Sequence, residues 1–219
     1  MSSNFHSASK ITFKAFGSSH LSKWNGIQTP LEQLLTDSGN YEEQEFHPVG
    51  GGTLTEKTLH DMISQINQAA LRKSKDHLQV LIMYGSNDLR YSDKGMDALL
   101  DKIKTLIELT QHHENITIFF TSVIPSPRTH HISQKHYKKF NKEVRIMTSP
   151  HQKAVFINTT KHMFKKYGTS FLSGMYKKDG IHLNRKGAEE VSQLIFETAN
   201  KYASISEKPS QPQQHEQEY

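Results

Sequence analysis

The amino-acid sequence predicts an α/β fold: a three-layer α/β/α sandwich built on a five-stranded parallel sheet. Three features carry that expectation. Short β-prone apolar runs alternate with segments of helical periodicity five times along the chain, and strands that alternate with helices pair in parallel through right-handed crossovers. The run Leu78-Gln79-Val80-Leu81-Ile82-Met83-Tyr84 is apolar at nearly every position, as a strand covered by helices on both faces has to be. With 219 residues and 34% hydrophobic content, the chain suits one domain and can bury a core without staples.

In chain order, residues 11–16 form a β-prone run closed by Gly17. Residues 21–35 show helical spacing at Leu21, Trp24, Leu31, Leu34 and Leu35, but Gly26 and Pro30 interrupt it, so a broken helix is expected. Residues 44–49 read as a short strand ahead of Gly50-Gly51-Gly52. In residues 53–71, Leu59, Met62, Ile63, Ile66, Ala69 and Ala70 share one helical face, with Thr53 or Thr55 as N-cap. The central strand then stops at Gly85-Ser86-Asn87-Asp88, and residues 93–112 form an amphipathic helix. Residues 116–123 are the fourth strand, after which Pro125 and Pro127 force an irregular loop. A lysine-rich helix over 136–147, a short strand over 154–157, a partial helix over 160–167 and a last helix over 186–202 complete the pattern. Residues 10–203 read as one domain after a flexible segment 1–9. Residues 204–219, rich in Ser, Pro, Gln and Glu with almost no apolar content, read as a disordered tail.

The absence of cysteine excludes disulfides, a thiolate nucleophile and cysteine-ligated zinc. That composition fits a reducing compartment. The first residues lack a basic flank followed by an apolar core, and no run approaches membrane-spanning length, so a cytoplasmic protein is expected. The net charge of +5 conceals an asymmetry. From Arg128 to Lys186 there are fourteen Lys or Arg against Glu143 and Asp179, or +12; residues 1–127 carry eleven basic and fourteen acidic groups, or −3. Such a field favours anionic partners, although solvated helix faces produce the same count.

Asp179-Gly180-Ile181-His182-Leu183-Asn184 stands just ahead of the last helix. An aspartate three residues before a histidine, on a loop closed by glycine, can accept a hydrogen bond from Nδ1 of the imidazole, which fixes the tautomer and leaves Nε2 as a base. The competing reading is an N-cap aspartate beside a surface histidine. Two other loops tip the balance. In an open parallel sheet of the flavodoxin-like order 2-1-3-4-5, ligands bind beyond the carboxyl ends of the strands where the winding reverses, between strands one and three. The loops at that point are Phe16-Gly17-Ser18-Ser19-His20-Leu21 and Gly85-Ser86-Asn87-Asp88, which would face each other.

These residues carry a family resemblance. Gly17-Ser18-Ser19 resembles the Gly-Asp-Ser of the first block of the SGNH hydrolases, the GDSL-type esterases, and Gly51 with Thr53 resembles the second block. Gly85-Ser86-Asn87-Asp88 is similar to the third-block Gly-x-Asn-Asp, and Asp179-Gly180-Ile181-His182-Leu183-Asn184, with Gly187 beyond, to the fifth. The resemblance implies a carboxylic ester hydrolase acting on a small-molecule, lipid or carbohydrate ester without metal or cofactor. Ser19 would be the nucleophile, His182 its base and Asp179 the group that orients the imidazole. The oxyanion would be held by the backbone N–H of Ser19, that of Gly51 and the side-chain amide of Asn87. Adjacent glycines leave Gly50 and Gly52 as rival donors, and spacing to Thr53 selects Gly51. Ser18 departs from the family's usual aspartate and places a rival serine beside the nucleophile; register selects Ser19. The alternative is a catalytically weak or inactive module of the same fold that holds nucleic acid or anionic lipid through the basic segment 128–186.

Overall fold

The computed structural model describes residues 11–17, 21, 28–48, 53–72, 76–89, 93–124, 126–128 and 130–205. The expected N-terminal segment 1–9 and residues 206–219 of the expected tail lie outside the described residues, as does Trp24. Five strands form one sheet: β1 (Ile11–Gly17), β2 (Tyr41–Pro48), β3 (His77–Met83), β4 (Ile116–Thr121) and β5 (Ala154–Ile157). Their order is β2-β1-β3-β4-β5 and every pair is parallel, as the sequence predicts.

Every residue of β1 and β4 is buried, Thr12 and Lys14 of β1 and Thr117 and Thr121 of β4 included, as expected of strands covered on both faces. β2 differs because it is an edge. It begins at Tyr41, three residues before the expected start, and its glutamates face solvent or a neighbouring charge. Charged side chains on an edge strand discourage pairing with another chain, and they also hide the strand from an apolar pattern.

The helices are α1 (Pro30–Ser38), α2 (Glu56–Arg72), α3 (Asp93–His112), α4 (His130–Thr148), α5 (Thr159–Tyr167), α6 (Phe171–Gly174) and α7 (Arg185–Ile205). Of the helical spacing expected from residue 21, α1 realises the part from Pro30 onward, and residues 22–27 lie outside the described residues. Thr29 Oγ1 accepts the N–H of Glu32 at 3.1 Å, and proline at the first helical position gives up an N–H that has no intrahelical partner. α4 starts six residues earlier than expected, at His130, and α7 runs on through Ser204 to Ile205, where the tail was expected to begin.

Alternation along the strands divides the core in two. Leu78, Val80 and Ile82 of β3 join Ile116, Ile118 and Phe120 of β4 beneath α2, α3 and α4. Leu81, Met83, Phe13, Ala15 and Phe119 face the other way, toward α1, α5 and α7. The polar exception in the middle of β3 is Gln79, wholly buried and answered: its Nε2 donates to Ala199 O at 3.0 Å, and Tyr41 Oη lies 3.2 Å from both Gln79 Oε1 and Asn200 Oδ1. A buried amide without partners would cost about 1–3 kcal/mol, so this network fixes the far end of α7 against the sheet.

At the carboxyl edge, β1 and β3 end side by side with Gly17 opposite Met83. A Cβ on Gly17 would stand 2.4 Å from Met83 O and 2.8 Å from Met83 Cβ. Gly17→Ala is therefore expected to lower stability by about 1–3 kcal/mol, the usual cost of forcing a methyl group into a packed site. The measurement is the urea midpoint at constant m-value; an unchanged midpoint would show that the strand ends separate freely.

Candidate active site

The segment before α7 is a small antiparallel hairpin. Tyr176 and Leu183 form an isolated β-bridge, Lys177 N–H donates to His182 O at 2.8 Å, and Asn184 N–H donates to Met175 O at 2.9 Å. Its turn closes through Gly180 N–H to Lys177 O at 2.9 Å, with Gly180 at a φ of +64°, where a Cβ would be strained. The hairpin is tied to the chain after β4 by Arg128 N–H, which donates to Gly180 O at 3.2 Å.

Asp179 is not the N-cap of α7. Its Oδ1 accepts the N–H groups of Ile181 at 2.8 Å and His182 at 2.9 Å, and its Oδ2 lies 2.7 Å from His182 Nδ1. Those contacts, the His182 N–H first, hold the carboxyl well below the usual carboxylate range even though two-fifths of the side chain is exposed. A carboxylate can only accept, so Nδ1 carries the proton and Nε2 is the ring nitrogen turned away from Asp179. The capping role belongs to Asn184. Its Oδ1 accepts Gly187 N–H at 3.0 Å while its Nδ2 donates to Gly174 O at 2.9 Å and Tyr176 O at 3.3 Å, so one amide caps the helix and clasps the hairpin. A Cβ on Gly187 would lie 2.3 Å from Met175 O, so the close seating of the helix start on the hairpin requires glycine there. Asparagine followed by a helical run was the available signal for this cap.

The His182 ring lines a hollow with Leu21, Met83, Lys177, Leu183 and residues of α1 and α7. A second hollow is lined by Tyr84, Ser86, Val123 and Tyr176. Met83 and Leu183 border both. The structure thus brings the hairpin of Asp179 and His182 against the carboxyl ends of β3 and β4 and against Leu21, beyond β1. Asn87 stands half-buried in the turn that follows β3, one residue from Ser86. Ser18 and Ser19 lie outside the described residues, as do Gly50, Gly51 and Gly52.

A link between loops that the sequence does not announce runs through Asp88. Its Oδ1 accepts Leu54 N–H at 3.0 Å, and Lys102 Nζ donates to Leu54 O at 2.8 Å, so both backbone groups of Leu54 are held. This fixes the chain two residues after Gly52 to the turn that carries Asn87. Asp88 Oδ2 and Tyr84 Oη are buried without a partner. Burial pushes the Asp88 carboxyl up, against the lowering effect of the N–H groups of Leu54, Asp88 and Gly85 and of Lys102. Burial, with the charge of Asp88 second, also pushes the Tyr84 hydroxyl up to about 12.

No protein-family model matches the chain, and no curated protein sequence matches it. Solved structures do. The chain is similar to a lipolytic protein of the G-D-S-L family from Veillonella parvula at 13% identity and TM-score 0.65, covering 87% of this chain and 99% of that one. A catalytic variant of an acetylxylan esterase from Geobacillus stearothermophilus aligns at 10% identity and TM-score 0.61, over 87% of this chain and 94% of that one. A protein from Slackia heliotrinireducens assigned to the SGNH hydrolases aligns at 17% identity and TM-score 0.59, over 88% and 100%. At these identities the likeness is one of fold: the chain has the fold of the SGNH hydrolases.

The Asp88 environment gives a signed prediction. A carboxyl whose folded pKa is raised keeps its proton to higher pH than the unfolded chain does, so its contribution to stability is lost as pH climbs past the unfolded value of about 3.9. Asp88→Asn keeps an oxygen for Leu54 N–H and cannot ionise. The melting temperature of Asp88→Asn relative to the parent is therefore expected to rise between about pH 4 and pH 7; a difference that is flat or shrinks over that range contradicts the buried-acid account.

Proposed function

We propose that the chain is a serine ester hydrolase of the SGNH type, acting on carboxylic esters through an acyl-Ser19 intermediate. The observation that carries this reading is the Asp179–His182 pair, 2.7 Å apart with Asp179 also anchored by two backbone N–H groups, on a hairpin at the carboxyl edge of the sheet. Ser19 follows β1 by two residues, at the point in the fold where the winding reverses, and supplies the alcohol that such a pair would activate.

In this reading Ser19 Oγ attacks the ester carbonyl while its proton passes to His182 Nε2. The carbonyl oxygen becomes an oxyanion, met by the N–H of Ser19, the N–H of Gly51 and the Asn87 amide; each such donor contributes roughly 3 kcal/mol to the transition state. Collapse breaks the bond to the alcohol, which leaves with the proton from His182. Water then attacks the acyl-serine, giving up a proton to His182, and the acid departs as the proton returns to Ser19 Oγ. Asp179 stays ionised throughout, because its two backbone donors stabilise the carboxylate independently of the ring. Similarity in fold to an acetylxylan esterase supports an acyl or acetyl ester as the substrate.

The purified protein is expected to hydrolyse 4-nitrophenyl acetate and to react with a fluorophosphonate probe at Ser19, identified by peptide mapping. Ser19→Ala and His182→Ala should each reduce kcat by about 10⁴-fold or more, and Asn87→Ala by about 10²–10³-fold. Labelling at Ser18 would move the nucleophile by one residue, and full turnover by both the Ser19 and His182 variants would remove the mechanism. Asp179→Asn places an amide donor beside Nδ1 and favours the wrong tautomer, so kcat should fall by up to about 10⁴-fold with little change in KM; a fall confined to KM would assign Asp179 to substrate binding.

A further inference from the structure

The exposed face of α4 carries a charge array that ester hydrolysis does not use. Tyr137, Phe140 and Val144 turn inward into the core beneath the helix. On the opposite side Lys135, Lys138, Lys139, Lys142 and Arg145 are all exposed, at spacings of three, one, three and three residues that keep them on one stripe. From the first to the last, the stripe runs about 15 Å along the helix. The one acid of α4, Glu143, is half-buried on its flank.

Four cations elsewhere in the chain sit in ion pairs. Lys14 pairs with Glu45 at 2.5 Å, Lys102 with Glu56 at 3.2 Å, Lys166 with Glu190 at 2.8 Å and Arg185 with Glu189 at 2.8 Å. Among the described residues, none of the five cations on α4 has an ion-pair partner. Five like charges without counter-charges repel one another, and an external polyanion relieves that repulsion while releasing its own condensed counterions.

We propose that this face of α4 is a docking surface for the phosphate backbone of a nucleic acid. Successive cations stand about 1.5–5 Å apart along the axis, comparable with the phosphate spacing of a strand, so a backbone bearing one charge per nucleotide can engage each of them. The stripe is lysine for four of its five positions, which suits point-charge contact with phosphate and not bidentate reading of base edges. Among the described residues Tyr137 and Phe140 are buried and leave no Phe, Tyr or Trp exposed on the stripe, so the contact is to backbone and not through stacked bases. A membrane surface fits less well: among the described residues Ile146, 51% exposed, is the one large apolar side chain on this face, too little for an inserted helix. The helix is fixed to the candidate site from its inward side, where Tyr137 Oη donates to Ser86 O at 3.3 Å.

The test is fluorescence anisotropy with a fluorescein-labelled 20-nucleotide RNA of mixed sequence, titrated with the full chain at several salt concentrations. Five phosphate contacts give a slope of log K against log salt of about −3.5 for a single strand. Lys138→Glu combined with Lys142→Glu should weaken binding at least tenfold at low salt and make the slope about 1.4 shallower, with the urea midpoint unchanged. Lys57→Glu combined with Lys104→Glu, exposed positions on α2 and α3 that change net charge equally, should have a several-fold smaller effect. Equal weakening by both pairs would mean that only net charge matters, and absence of RNA binding at low salt would mean that the stripe is simply solvated; either result overturns the proposal. Retention on phosphatidylserine vesicles without RNA binding would reassign the surface to membranes. These readouts are independent of ester hydrolysis, so they stand or fall separately from the catalytic reading.

Discussion

The architecture turns on the contact of Gly17 with Met83, where β1 and β3 end as neighbours although β2 lies between them in the sequence. With β1 beside β3, the chain must leave β1 toward one side of the sheet and leave β3 toward the other. Right-handed crossovers then put α1 on one face and α3 and α4 on the opposite face. In open parallel sheets wound this way, the ligand crevice lies where the winding reverses, between these two strands. α7 returns to the α1 face and packs beside that helix. Because a helix crossing back over a parallel sheet runs antiparallel to the strands, the start of α7 lies at the strands' carboxyl edge. The residues just before it, Asp179 and His182, are delivered to the crevice by the connectivity.

Delivery to the right edge does not by itself aim an imidazole. That task falls to short-range hydrogen bonds within the hairpin. Asn184 is committed at both ends of its amide, so neither aspartate, which cannot donate, nor serine, which lacks the reach, would replace it. Asp179 uses one oxygen for backbone and the other for the ring, which makes the carboxylate a fixed platform. An exposed ion pair contributes little to stability when it stands alone. Here the two backbone donors do most of the holding, and the ring bond decides the tautomer.

The sequence made some of this legible and concealed the rest for identifiable reasons. β3 was plain because burial on both faces forces seven nearly apolar positions in a row, and Asp179 with His182 was plain because their interaction is local, spanning three residues. β2 was misjudged at its start because an edge strand tolerates Glu42 and Glu43, whereas the break at Pro30 was legible because proline suits the first helical position, here behind the N-cap Thr29. The contact of Asp88 with Leu54 joins residues 34 apart, and nothing in either neighbourhood signals it. The same limit applies to Gln79, a buried polar residue whose partners Tyr41, Ala199 and Asn200 come from distant parts of the chain. Interactions within a turn can be read from spacing, whereas those between elements require the topology first.

Charge shows the same division between count and arrangement. Fourteen cations between Arg128 and Lys186 indicate a basic segment but not a basic surface, since Lys166 and Arg185 spend their charge on neighbouring glutamates. Among the described residues of that segment, the helical phase of α4 gathers five unpaired cations on one face. Their array is also rigidly mounted. Asn141, on the flank of the same helix, accepts Val123 N–H at 2.8 Å through Oδ1 and donates to Val123 O at 3.1 Å through Nδ2, closing a two-bond clamp onto the chain after β4. With Tyr137 fixed on Ser86 as well, α4 can neither roll nor slide without breaking these partly buried hydrogen bonds. A polyanion meeting the stripe would have to order only the lysine side chains and itself, because the helix that presents them is already held in place.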